Sequence, residues 1–180
     1  MNREPLSNEA DLALAFAAEV GERGWSRSTF EAFCAGHHIT FEQQQYIWPN
    51  GIRSVARSLN EGADQQMLRA WANAERASMV DIILRRFADN QPLKSSVAQL
   101  AKSDFLHPFD TLTRTARTAE RMLLCRGGYR RSGPVGQFIE RWTLVLAYSA
   151  CVLVWIGDHT EDQRRTDRAT RRFLAIAGLD

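Results

Sequence analysis

Stretches in which apolar residues recur every three or four positions alternate along the chain with short breaks rich in glycine, proline and capping residues. That spacing is typical of a helix with one buried face, and no stretch sustains the period of two that marks a strand. The pattern therefore predicts an all-α fold of about nine helices. The first carries the apolar stripe Leu12, Phe16 and Val20 and is expected to end near Gly21–Gly24.

Two capping boxes predict the next two helices. Ser28 with Glu31 marks the start of a second helix, which Gly36 is placed to end. Thr40 with Gln43 forms a second predicted capping box, which marks the start of a third helix. Together the three helices predict a helix-turn-helix unit over residues 1–50.

The rest of the chain predicts a helical body over residues 51–180. Trp48-Pro49-Asn50-Gly51 breaks the chain and starts a fourth helix. Thr160 is expected to cap the last helix. The later helices are expected at about 63–87, 94–106, 108–125, 135–156 and 160–177.

Composition favours a single-core cytoplasmic protein. The 180 residues are 44% hydrophobic and carry a net charge of +2, too small to indicate nucleic acid by itself. Cys34, Cys125 and Cys151 show no metal-binding spacing, which predicts buried reduced thiols. Residues 1–11 are polar and acidic, unlike a secretory signal. The uncharged run Trp142–Gly157 is shorter than the roughly 20 residues that span a bilayer.

No arrangement of residues predicts catalysis, a cofactor or a metal. His37 and His38 are adjacent and point to different helix faces. His159 has acidic neighbours, but a capping role for Thr160 and those acids accounts for the cluster. The sequence contains no glycine-rich phosphate loop, nucleophile elbow or metalloprotease motif, so we expect no enzyme activity.

A helix-turn-helix unit leading into a helical body resembles the TetR regulator fold. Gly24-Trp25, Trp48-Pro49-Asn50-Gly51 and Gly157-Asp158-His159-Thr160-Glu161-Asp162 further resemble motifs of the lipid-binding accessory family of ubiquinone (coenzyme Q) biosynthesis. The resemblance implies a lipid or isoprenoid pocket in the body. It also implies presentation of ubiquinone intermediates to a di-iron hydroxylase, by a protein peripheral at the inner membrane.

The sequence departs from that family at two places. Where the family carries Trp-Tyr on a surface implicated in partner binding, this chain has Arg164-Arg165-Thr166. The family's chains continue into an amphipathic membrane helix, whereas this sequence ends at Asp180. Lipid binding is therefore the expectation, and docking to the hydroxylase is left open.

Large apolar residues of the body are the candidates to line a lipid pocket, which needs few polar groups. The same side chains would equally fill a solid core. Trp155 belongs with this group, although the resemblance places the family's tryptophan two residues earlier. The pocket candidates are Trp71, Met79, Phe87, Phe105, Phe109, Met122, Trp142 and Tyr148.

Two surfaces of the body suggest partners. Arg114, Arg117 and Arg121 fall on one helical face, which would meet anionic membrane lipids or form structural ion pairs. The helix at 135–156 is apolar nearly all round, which predicts burial on more than one side. In the TetR fold the last two helices commonly pair between subunits, so we expect a homodimer through residues 135–177.

The alternative function is a TetR-like transcription regulator that senses a small apolar ligand. Its DNA contacts would come from Arg27, Gln43, Gln44 and Tyr46. The third helix has no basic residue and carries Glu42, and residues 1–60 contain five arginines and no lysine against seven acids. The resemblance also places Gln45 and Gly51 where TetR repressors carry a phosphate-gripping tyrosine and lysine. DNA binding is therefore disfavoured. A third interpretation is a structural protein with a solid core and no ligand.

Overall fold

The computed structural model describes residues 9–21, 23–72, 77–104 and 108–179. These ranges form nine α-helices and contain no strand, which confirms the predicted all-α class. A single 3₁₀ turn, Gln91–Leu93, precedes the sixth helix. The helices are α1 (Glu9–Val20), α2 (Arg27–Gly36), α3 (Phe41–Ile47), α4 (Ile52–Trp71), α5 (Met79–Asp89), α6 (Lys94–Asp104), α7 (Pro108–Cys125), α8 (Gly133–Ile156) and α9 (Arg164–Ala177).

The chain forms two compact units, residues 1–62 with 92–106 and residues 63–91 with 107–180. The division differs from the boundary at residue 50 because α6 belongs to the first unit. There the indole N–H of Trp25 donates to the carbonyl of Ser96 at 2.8 Å. The Ser96 hydroxyl in turn donates to the carbonyl of Ala17. These partners are 71 and 79 positions apart, so no local pattern predicts them.

Phe16 lies at the centre of the first unit's core. Its ring makes edge-on contacts with the rings of Trp25, Phe30 and Phe33 at centroid distances of 5.0, 6.0 and 5.3 Å. Aromatic pairs of this geometry add about 0.5–1.5 kcal/mol each beyond their burial. All three members of the apolar stripe predicted on α1 are buried, which confirms that prediction.

The start of α2 differs from the prediction. Ser26 is the N-cap, and its Oγ accepts a hydrogen bond from the backbone N–H of Thr29 at 3.2 Å. Glu31 does not reach back to a cap, because its carboxylate accepts from Arg27 Nε at 2.7 Å. The predicted capping box from Ser28 to Glu31 is therefore wrong, because Glu31 forms an i,i+4 ion pair with Arg27 instead.

The predicted capping box at α3 is confirmed. The N–H of Gln43 donates to Thr40 Oγ1 at 3.2 Å, and the N–H of Thr40 donates to Gln43 Oε1 at 2.9 Å. The chain then turns through Gly51, which has a φ of +57°. Side chains other than glycine rarely adopt that backbone conformation, so the break before α4 needs this residue.

The long helix predicted over 63–87 is wrong. α4 runs without interruption through Gly62 to Trp71, and α5 begins separately at Met79. A glycine inside a helix costs about 1 kcal/mol but does not end it. The start of α5 comes from Ser78, whose Oγ accepts from the N–H of Asp81 at 3.0 Å. That cap was visible in the sequence and was missed.

α8 is the central helix of the second unit. It packs against α7 and α9, and α5 packs against α7 and α9 as well. Its inward face carries Leu144, Tyr148, Cys151 and Trp155, all buried. Its opposite face is apolar but uncovered, so the expected burial on more than one side is not met within the described chain. By length and composition α8 would also cross a membrane, although 39% of that apolar stretch is buried inside the protein.

Candidate functional site

Four predicted pocket residues are buried in the second unit: Met79, Phe87, Met122 and Tyr148. Phe87 stacks on Tyr148 with ring centroids 5.9 Å apart and planes 12° apart. It also stacks on Trp155 at 5.0 Å and 8°. Stacked rings leave no room for a ligand chain between them, so these three aromatic side chains fill the core at this point.

The remaining pocket candidates lie elsewhere. Phe109, in the first turn of α7, is 83% exposed, so the expectation that it lines an enclosed pocket is wrong. The helix turns its own apolar face, with Met122, inward instead. Phe105 lies outside the described residues. Trp71 and Trp142 are half-buried, at the end of α4 and in the middle of α8.

The indole N–H groups of Trp71 and Trp142 are buried and have no acceptor among the described residues. Trp48 of the first unit shares this property. Trp142 contacts the ring of Phe138 at a centroid distance of 6.1 Å, and the guanidinium of Arg141 lies 5.9 Å from its ring centre. Leaving a buried donor without an acceptor costs about 1–3 kcal/mol. These two groups are therefore positions where an oxygen atom of a ligand or partner would stabilise the unit.

A buried ion network crosses the core of the second unit, and sequence analysis missed it. The carboxylate of Asp64 on α4 lies 2.6 Å from Arg86 Nη1 on α5. It accepts from Arg121 Nη1 at 2.7 Å and from the hydroxyl of Thr118 at 3.1 Å, both on α7. Arg86 Nε donates to the hydroxyl of Tyr148 at 2.9 Å. Asp64 thus joins α4, α5 and α7, and Arg86 extends the network to Tyr148 on α8.

The network fixes protonation states inside the unit. Burial works against the charged form of Arg86, but Tyr148 and Asp64 outweigh it, so the pKa of Arg86 is raised. Burial, which outweighs the attraction of Arg86, raises the pKa of Tyr148. Arg86 therefore stays charged and Tyr148 stays neutral. The only sequence signal was an arginine between the apolar positions Ile83 and Phe87 of α5.

The predicted basic face on α7 is smaller than its sequence indicates. Arg121 is turned into the unit and bonded to Asp64, so it is a structural residue. Arg114 is half-buried and also has a partner. Of the three, Arg117 is the exposed one. A membrane-facing patch built on all three side chains is therefore not present on this helix.

A second buried carboxylate, Glu140 of α8, holds the loop before that helix. It pairs with Arg126 and accepts from the backbone N–H groups of Arg130 and Arg131, each at 3.0 Å. Burial alone would raise the pKa of Glu140, but these hydrogen bonds outweigh it and lower the pKa. The charge inside the apolar helix α8 is thus fully compensated.

Asp158 organises the corner between α8 and α9. Its buried carboxylate accepts from the N–H and hydroxyl of Thr160 at 3.1 and 2.6 Å, and from those of Thr166 at 2.8 and 2.7 Å. Burial opposes the charge, but the four hydrogen bonds hold the pKa of Asp158 well below its usual range. The expectation that Thr160 caps the last helix is wrong, because its hydroxyl serves Asp158 and the helix begins at Arg164.

The residues proposed to contact DNA lie on the first unit, and Arg27 is the one basic residue among them. Arg27 is ion-paired with Glu31. Gln43 is engaged in its capping box, and Gln44 is half-buried. Tyr46 is 90% exposed. The side chains of α3 therefore present amide and phenol groups, with no positive charge from this helix to attract a phosphate backbone.

Within the described residues, no three histidine, cysteine or acidic side chains are placed to hold a metal ion. Comparison of the chain with protein-family models, curated proteins and solved structures finds no significant match. The resemblance drawn from the sequence motifs therefore stays a prediction.

Proposed function

We propose that this protein is a non-enzymatic, lipid- or isoprenoid-binding accessory protein with a TetR-like fold, linked to ubiquinone biosynthesis. It acts in the cytoplasm with peripheral contact at the inner membrane. The observation that carries the proposal is the pair of buried indole N–H groups, Trp71 and Trp142, that lack an acceptor among the described residues. A quinone or a polar lipid head carries oxygen acceptors on an apolar body, so it would supply the acceptor that each of these N–H groups lacks.

The motif residues behind the resemblance have positions that support the proposal. Trp25 and Trp48 are buried in the first unit's core, and the glycines beside them, Gly24 and Gly51, have positive φ angles of 82° and 57°. Asp158 fixes the corner before α9. Residues of the two motifs thus have fold-defining roles, as expected if they are shared by ancestry. The family's aromatic pair is replaced here by Arg164 and Arg165. Docking to the hydroxylase is therefore not part of the proposal.

A homodimer through residues 135–177 is part of the same proposal. α8 leaves a row of large apolar side chains exposed on the face opposite its core residues. A second copy would cover this row by pairing α8 and α9 across a two-fold axis. Trp142 lies on this face, so its N–H would meet either the second copy or a ligand. The exposed row is Val135, Phe138, Ile139, Leu146 and Leu153.

Native mass spectrometry of gently purified protein tests the lipid assignment. We expect an adduct with the mass of a lipid or isoprenoid, lost on denaturation. Trp71→Phe keeps the ring and removes the N–H, and should lower the affinity roughly fivefold, the effect of one hydrogen bond of about 1 kcal/mol. Tyr46→Phe, on the exposed surface of the first unit, is the control. A wild-type protein that carries no adduct and takes up no added isoprenoid would contradict the proposal.

The alternative, a DNA-binding regulator, is favoured by the exposed Tyr46 and by the amides of α3, which are able to read base edges. An electrophoretic shift assay with the upstream region of the protein's own gene separates the two functions. The accessory function predicts no sequence-selective shift at physiological salt. A tight, selective shift at physiological salt would establish the regulator instead.

A further inference from the structure

A shallow groove, largely open to solvent, runs along α9 and has a volume of about 400 Å³. Four arginines, Arg164, Arg165, Arg168 and Arg172, line it together with Phe173 and Ala169 of the same helix. The groove therefore combines four guanidinium groups with a lining that is mostly apolar, formed by Phe173, Ala169 and the arginine stems. None of its lining residues belongs to the Asp64 network or is one of the tryptophans of the proposed lipid site, although α9 itself lies within the proposed dimer segment.

Three of these arginines have no charge partner among the residues that the structure describes. Arg165, Arg168 and Arg172 are exposed and make no ion pair or hydrogen bond with a described side chain. Their neighbours differ, since Arg164 pairs with Asp162 and Arg171 pairs with Asp167 at 3.1 Å. The nearby acids Asp162 and Asp167 are thus paired with the arginines beside the triad and not with the triad itself.

The triad lies on one helical face. Positions three and four apart are neighbours on a helix surface, and seven residues span about 10 Å along the axis. Like charges at these spacings destabilise a helix slightly. The triad therefore weakens α9 slightly on its own, and an anion in the groove would remove that repulsion. The positive end of the helix dipole, next to Arg165, acts in the same direction.

The groove is preformed at its N-terminal end. Asp158 holds the N–H and hydroxyl of Thr166 in the first turn of α9, and it also holds Thr160, which borders the groove. A fixed first turn sets the backbone position of Arg165 before a ligand arrives. Guanidinium groups donate two parallel hydrogen bonds to phosphate oxygens, which makes arginine the residue suited to phosphate in a fixed orientation.

We propose that the α9 groove binds a phosphate-bearing anion: Arg165, Arg168 and Arg172 hold the phosphate or diphosphate group, and Phe173 contacts an apolar part of the ligand. The chemistry is the same whether the phosphate belongs to a soluble ester or to a phospholipid headgroup. The site is formed by this chain alone and does not depend on lipid binding in the body of the second unit.

Two binding measurements on the full chain test the proposal and distinguish the sources. Isothermal titration calorimetry with pyrophosphate probes a soluble ligand. Flotation with phosphatidylcholine vesicles, with and without phosphatidylglycerol, probes a headgroup. Binding of pyrophosphate assigns a soluble phosphate compound, and binding of anionic vesicles alone assigns a headgroup. Either interaction should weaken as salt is raised, because the arginines are exposed.

Single variants Arg165→Gln, Arg168→Gln and Arg172→Gln should each weaken binding roughly fivefold, equivalent to about 1 kcal/mol per arginine. Arg171→Gln is the matched control, since it removes the same charge from the same helix at a residue already paired with Asp167. It should change binding less than twofold. Circular dichroism of each exposed variant checks the fold. Absence of wild-type binding to both probes overturns the proposal, as does an equal loss in Arg171→Gln.

Discussion

Asp64 and Arg86 form an ion pair of 2.6 Å inside the second unit, where Asp64 is fully buried and the Arg86 side chain is 5% exposed. Arg121 and Thr118 also bond to the same carboxylate. The guanidinium groups of Arg86 and Arg121 share this one carboxylate, and no other residue of the network can supply the negative charge if Asp64 is replaced.

Asp64→Asn should therefore destabilise the protein by about 3–5 kcal/mol, because it leaves Arg86 buried without a counter-charge. Urea unfolding followed by circular dichroism measures the change. The control is Asp167→Asn, which breaks the exposed pair with Arg171 and should cost less than about 1 kcal/mol. Equal losses for the two variants would show that the buried network does not stabilise the unit.

Asp158 should make the stability of the protein depend on pH in the acid range. Its pKa is depressed in the folded state, so its contribution is fully present above the unfolded pKa of about 4 and is lost as the pH falls through the folded value. Asp158→Asn should cost about 1–3 kcal/mol at neutral pH and flatten the fall in stability below pH 4.

The matched control for that experiment is Asp162→Asn, in the same corner but half exposed and paired with the exposed Arg164. Denaturant midpoints at a series of pH values give both curves. If the denaturant midpoint falls equally steeply below about pH 4 for wild type and Asp158→Asn, the four hydrogen bonds do not favour the ionised carboxylate.

Replacement by alanine should have opposite effects at Gly51 and at Gly36. Gly51→Ala should destabilise by about 1–2 kcal/mol, because φ is +57° there, while its new methyl group would meet Phe30 only at an ordinary 3.7 Å. Gly36→Ala, in the last turn of α2 with open space around it, should be neutral or stabilise by up to about 1 kcal/mol. Thermal unfolding of the two variants compares them directly, and the reverse order would contradict the assigned turn.

The uncovered face of α8 predicts the oligomeric state. Light scattering after size exclusion should give twice the 20.4 kDa mass of the chain. Leu146→Glu, at a side chain 68% exposed on this face, should shift the protein to monomer without loss of helicity. Leu14→Glu, at a 45% exposed position of α1, is the control and should leave the mass unchanged. A wild-type mass near that of one chain would refute the dimer.

The spacing of apolar residues predicted most helices, because the buried face of a helix is encoded within that helix's own sequence. α1, α6 and α7 follow from apolar spacing, and α3 follows from the Thr40–Gln43 box. The errors arise where two local signals compete. The apolar spacing predicts a new helix from about residue 63, whereas α4 continues through Gly62 to Trp71. Glu31 was assigned to a cap although Arg27 is at the right distance to pair with it.

The candidate site was less predictable, because its key contacts join distant residues. Asp64 and Arg86 belong to different helices, and nothing near either residue in the sequence identifies its partner. Phe109 looks like a core residue by type, but its angular position on α7 faces away from Met122. Arg121 shares the helical spacing of Arg114 and Arg117, yet it is bonded to a buried acid that the spacing does not show.

The cysteines make it possible to follow the opening of each unit separately. Cys34 is buried in the first unit and Cys151 in the second, and burial, as the main cause, raises the pKa of both thiols. A buried thiol with little thiolate reacts with an alkylating reagent only while its surroundings are open. Pulsed alkylation with peptide mass spectrometry therefore yields one opening free energy per unit from the native sequence, without an introduced label.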